Sequence, residues 1–178
     1  MPRTRTACAL LLSLGLFLAN TRGQDSEKPV KMKDLPKPVQ MTVKEQSKGA
    51  TIRGLSKETE DGNTYYEVEL KVKGHKKDVL IDTTGKVVET EEEVAVASIP
   101  AVVKAEIDRH VGAGRIMMVE SISKNNVVVA YEAHVKTGKK YTEVKVGSDG
   151  QLISTEGDED EAKEKAVTKK GSPKTKKP

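Results

Sequence analysis

Three histidines, two runs of carboxylates and four tyrosines are the residues of this 178-residue chain whose types lend themselves to chemistry. His75, His110 and His134 fall at spacings that match no metal-ligand motif, and they read as surface residues rather than ligands or general bases. Carboxylates gather at Glu89, Glu91, Glu92 and Glu93, and again at Glu156 and Asp158 to Glu161. Calcium needs about six to eight oxygens held by a shaped loop, and no glycine-punctuated loop shapes either run. Acid–base catalysis needs a pocket that perturbs a carboxylate, which an exposed run does not supply. Both runs therefore read as solvated charge. The stretch Val111-Gly112-Ala113-Gly114 has phosphate-loop glycines, but it follows a helix and leads into a strand, the reverse of a phosphate site. No serine or threonine has a plausible base partner or a strained elbow. The expectation is a protein that is not an enzyme and has no metal and no cofactor.

What remains is a set of polar side chains on predicted strands. Thr64 to Lys73 alternates strictly, with Tyr66, Val68, Leu70 and Val72 on one face and Tyr65, Glu67, Glu69 and Lys71 on the other. Val127, Val129, Tyr131, Ala133 and Val135 alternate in the same way with Glu132, His134 and Lys136. A period of two marks antiparallel strands with one buried and one wet face. On that parity Tyr65, Glu67, Glu69, Glu132, His134, Tyr141 and Glu143 all point outward, and tyrosines beside carboxylates make them the candidate binding residues.

The elements that carry these residues recur. Leu35-Pro36-Lys37-Pro38-Val39 reappears as Ile99-Pro100-Ala101-Val102-Val103, and Tyr66-Glu67 to Lys71 as Tyr131-Glu132 to Lys136. Gly85-Lys86-Val87 returns as Gly150-Gln151-Leu152. The order and offset are nearly constant, which predicts a duplicated unit rather than a short-period solenoid. Each copy opens on a proline suited to a first helical turn. Ile99, Val103, Ile107 and Val111 then form one apolar stripe, ended by Gly112. Strands follow, separated by turn signals such as Asp61-Gly62-Asn63, Lys73-Gly74, Asn125-Asn126 and Asp149-Gly150. The predicted fold class is α+β: two tandem repeats, each one helix packed on a four-stranded antiparallel meander, with the sheets joined. One such unit of about 60 residues is marginally stable alone.

The ends read differently. Arg3 and Arg5 precede an apolar run from Ala7 to Ala19, shorter than the roughly 20 residues that a transmembrane helix needs. Residues 1–23 thus have the layout of a secretory signal peptide, and they hold Cys8, the single cysteine. The mature chain then carries no thiol or disulfide, no stable membrane insertion is expected, and the destination is periplasmic or secreted. Residues 24–34 read as a flexible leader, 35–94 and 95–156 as the two repeats, and 157–178 as a charged disordered tail whose lysines make weak cell-surface contact. Acidic and basic residues balance between Gln24 and Thr155, which argues against nucleic acid as a partner.

The Leu-Pro or Ile-Pro helix start, the Tyr-Glu-x-x-x-Lys strand and the run Asp78-Val-Leu-Ile-Asp82-Thr-Thr-Gly85-Lys-Val-Val resemble the PepSY-like domains of bacterial secreted proteins. The tandem arrangement, over about Leu35 to Thr155, resembles their β-lactamase-inhibitor-like branch. That resemblance implies a secreted, non-enzymatic binding protein that regulates or inhibits an extracytoplasmic peptidase or another secreted protein. The alternative is an envelope-associated structural or stress protein tethered by its charged tail.

Overall fold

The computed structural model describes residues 26–60 and 62–157. The expected signal peptide and, apart from Gly157, the expected tail lie outside the described residues. The chain divides into two units, one ending at Glu92 and the other beginning at Glu93.

In the first unit, strand β1 (Ser26–Pro29) and a 3-10 turn (Met32–Asp34) lead into helix α1 (Lys37–Gln46). Strands β2 (Ala50–Glu60), β3 (Asn63–Val72), β4 (His75–Asp82) and β5 (Val87–Val94) follow. Each strand pairs antiparallel with the next. In the second unit a 3-10 turn (Val96–Ser98) precedes helix α2 (Ala101–Val111). Then come β6 (Arg115–Lys124), β7 (Val127–Thr137), β8 (Lys140–Gly147) and β9 (Leu152–Gly157), again antiparallel neighbours in sequence order. The architecture is α+β. No helix among the described residues is long and apolar enough to cross a membrane.

The helices start and stop where the local chemistry requires. Pro36 and Pro100 are the N-caps, both in extended conformation, and neither has an N–H to leave unsatisfied. Gly112 ends α2 at φ +55, a conformation that costs glycine no steric penalty. One stripe of each helix is buried. Val39 and Val43 join Leu35, Tyr66, Val68, Leu70, Val79 and Ile81 in the first core. Val103 and Ile107 join Ile99, Val119, Ala133, Val135, Val144 and Val146 in the second. Each valine, leucine or isoleucine among them contributes about 1.5–3 kcal/mol by leaving water.

The hairpin turns also hold the helices down. Thr84 donates to the Asp82 carboxylate from its backbone N (2.8 Å) and its hydroxyl (2.6 Å), and Lys86 N donates at 3.0 Å. These bonds, the Thr84 hydroxyl first, hold the Asp82 carboxyl below its ordinary range. They shape a turn in which Gly85 has φ +89 and lies against the backbone of Pro38, while Thr42 of α1 donates to the Gly85 carbonyl.

One expectation is corrected. The leader was expected to be flexible, yet Ser26–Pro29 forms β1, in register with Thr59 to Ser56 of β2. Three of its four residues are polar and the fourth is a proline, a run with no periodic apolar signal. Backbone pairing to an open strand edge holds it, and that pairing does not depend on side-chain type.

Candidate binding face

With a helix on one face of each unit's sheet, the alternate side chains of the strands occupy the other face. In the first unit Glu67 of β3 stands between Ser56 of β2 and Leu80 of β4, and Glu69 stands opposite Asp78. Tyr65 lies on the same face, opposite Glu58. Glu27, Glu58 and Glu67 bring carboxylate oxygens within 4.8 Å of one another. Burial pushes the Glu67 carboxyl up to about 10, helped by its hydrogen bond with Glu58 and by the charges of Glu58, Asp78 and Glu91. At neutral pH Glu67 is therefore protonated and donates to the Glu58 carboxylate. Lys76 pairs with Asp78 at 2.7 Å. Gly54 makes room for its neighbour across the ladder: a Cβ there would lie 2.5 Å from Glu69 Oε1.

In the second unit the same face gathers Glu120 of β6, Glu132 and His134 of β7, and Tyr141, Glu143 and Lys145 of β8. Glu120 is opposite Glu132, His134 opposite Glu143, and Glu132 opposite Lys145. His134 Nε2 lies 2.7 Å from Glu120 Oε2 and 3.8 Å from Glu132 Oε1, while its Nδ1 lies 3.4 Å from Glu143 Oε1. Lys145 Nζ holds Glu132 Oε2 at 2.9 Å. Burial alone would lower the His134 imidazole, but the Glu120 and Glu143 carboxylates outweigh it and raise it to about 10. Glu156 of β9 is raised by burial and by Glu143 and Glu132, against the pull of Lys145. At the edge of this group Lys136 Nζ sits 4.8 Å from the centre of the Tyr141 ring.

All seven candidate residues lie on the faces away from the helices. The structure brings Glu132, His134 and Glu143 into one cluster, with Tyr141 beside it. Tyr65, Glu67 and Glu69 belong to the first unit. Three readings are corrected. His134 is not a surface histidine, because the register of β6, β7 and β8 encloses it in carboxylates. Glu132 points away from the helix but is buried. Glu89 and Glu91 are not solvated charge. Strand alternation sets them on the same face as Asp78 and Leu80, and both are buried. Glu58, Glu120 and Lys145 escaped the sequence reading. Glu120 could have been found only by pairing β6 correctly, and two register shifts in that strand hide its parity.

No family model matches the chain, and no curated protein matches it. Solved structures do. A candidate periplasmic protein from Bacteroides eggerthii superposes with a TM-score of 0.55 at 15% identity, covering 69% of this chain and 88% of that one. A DUF2874 family protein from Bacteroides uniformis superposes with a TM-score of 0.53 at 16% identity, covering 68% and 88%. The likeness is one of fold. A BLIP-like protein from Bacteroides fragilis aligns at a TM-score of 0.49 with 18% identity over 70% of this chain and 86% of that one, too distant to carry more.

Proposed function

We propose that this chain is a non-enzymatic binding protein of the periplasm or cell exterior, one that holds a partner protein against the wet faces of its sheets. The regulated partner is a secreted protein, with an extracytoplasmic peptidase as the leading class. The observation that carries this reading is the division of labour in each unit. A helix takes one face of the sheet, and the opposite face is built from tyrosines and carboxylates on adjacent rigid strands. Such a face offers amphipathic rings and fixed charge at low entropic cost. The N-terminal signal-peptide pattern supports the location, as does the periplasmic naming of the Bacteroides eggerthii neighbour. We further read the two units as copies of one ancestral helix-plus-meander unit, on the strength of the recurring sequence blocks and the shared element order.

The test is partner capture from periplasmic extract by the purified protein, compared with two variants that spare the buried carboxylates. One carries Tyr65→Ala with Glu69→Ala, the other Tyr141→Ala with Glu143→Ala. A partner retained by the parent and lost by either variant supports the wet face as the contact surface. Equal retention by all three proteins would overturn it.

A further inference from the structure

We propose that Glu120, Glu132 and His134 form a binding site for a divalent first-row transition metal, with Zn²⁺ as the ion to test. The proposal stands apart from the partner reading above. Glu120 of β6 faces Glu132 of β7, and His134 lies two residues along β7 on the same face, so strand geometry positions the three donors rather than a loop. Their donor atoms lie within 4.8 Å of one another. His134 Nε2 is 2.7 Å from Glu120 Oε2 and 3.8 Å from Glu132 Oε1. A tetrahedral ion with bonds of about 2.0–2.1 Å separates its ligands by roughly 3.3 Å, between those two distances. One imidazole nitrogen with two carboxylates suits zinc and its first-row neighbours, whereas calcium and magnesium favour oxygen throughout.

Two features beyond the donor set point the same way. The second ring nitrogen, Nδ1, faces Glu143 at 3.4 Å, the carboxylate–imidazole arrangement that orients a metal-ligating histidine and raises its basicity. Lys145 engages Glu132 through Oε2, so the Oε1 atom is the one that faces the imidazole. Glu120 is fully buried and Glu132 nearly so, while the His134 side chain is 21% exposed. The ion would enter from the imidazole side and keep an open coordination position there. It replaces the proton that His134 shares with Glu120, and that proton leaves to solvent. Its two charges then offset a group in which Lys145 stands among Glu120, Glu132, Glu143 and Glu156.

The experiment titrates the chelator-treated full chain with Zn²⁺ by calorimetry and follows Co²⁺ by its visible spectrum. Saturable uptake of a single ion per chain is expected, with a four-coordinate Co²⁺ spectrum that Zn²⁺ abolishes. His134→Gln should weaken uptake by about 100-fold or more and Glu143→Gln by about 10–100-fold. His75→Gln and His110→Gln should leave it unchanged. Absence of saturable uptake, or uptake unaltered by His134→Gln, would overturn the proposal. Should that variant fail to fold by circular dichroism, NMR on the unmodified protein decides: Zn²⁺ must shift the His134 ring signals, and uptake without that shift also overturns the site.

Discussion

The wet faces of the two units solve one electrostatic problem in different ways. Glu67 and Glu132 occupy matching places, each in the central region of its meander with one partner on either side. Glu67 has Ser56 and Leu80 across from it, and Glu132 has Glu120 and Lys145. Glu69, two residues after Glu67, corresponds to His134. The first unit has no cation directly across the ladder from Glu67, and a shared proton lets Glu67 sit beside Glu58. The second unit adds a carboxylate, Glu120, and brings in two cationic side chains, His134 against Glu120 and Lys145 against Glu132. Like carboxylates at close range cannot all ionise, and either a proton or a basic group must intervene.

Removing the fixed cation is the hardest blow to this contrast. Lys145→Met should leave Glu132 buried without its ammonium and cost about 3–5 kcal/mol in urea denaturation. A loss below about 1 kcal/mol would mean that His134 alone satisfies the cluster. The turns give a second comparison. A Cβ on Gly85 would meet the Pro38 backbone at 2.9 Å, whereas one on Gly150 (φ +86) would meet the Val102 side chain at 3.1 Å. Gly85→Ala should therefore cost about 1–3 kcal/mol, and Gly150→Ala less, as read by thermal melting. The reverse order would show that the first helix yields more easily than the second.

The smallest effect is expected for Glu67→Gln below about pH 4, where folded and unfolded chains both carry the protonated acid that glutamine copies. By neutral pH the unfolded parent has ionised, and Glu67→Gln should be the more stable of the two. The raised Glu67 carboxyl helps the fold fully below its unfolded value of 4.5, and that help is lost as pH rises toward about 10. The parent should lose stability across that window more steeply than Glu67→Gln, and parallel curves would remove the shared proton from the account. Leu80→Lys sharpens the same point by placing an ammonium where the second unit has Lys145. NMR titration should then find the Glu67 carboxyl lowered relative to the parent.

The sequence made the helices, their prolines and the main strand parities legible, because those follow from local period and turn chemistry. Tyr65, Glu67, Glu69, Glu132, His134, Tyr141 and Glu143 could be assigned to a face for that reason alone. What alternation could not convey was depth or company. A period of two separates the helix-packed side from the wet side, but Glu89, Glu91, Glu120 and Glu132 lie on the wet side and are buried nonetheless. The enclosure of His134 depends on three strands in register, and shifts between Ile116 and Met118 and between Ile122 and Ser123 displace the β6 pattern by a residue. Strand β1 was illegible for another reason: main-chain pairing holds it, and that leaves no mark on residue type.

That short strand bears on how the molecule avoids sticking to itself. Without it, the 11 residues of β2 would offer a continuous row of main-chain donors and acceptors, a template for aggregation. β1 covers Ser56 to Thr59, Val30 N extends the cover by donating to the Leu55 carbonyl at 2.9 Å, and the register shift between Ile52 and Gly54 disrupts the rest. This four-residue strand thus acts as a selvedge, and a chain trimmed past Pro29 would carry a raw border ready to zip onto its neighbours.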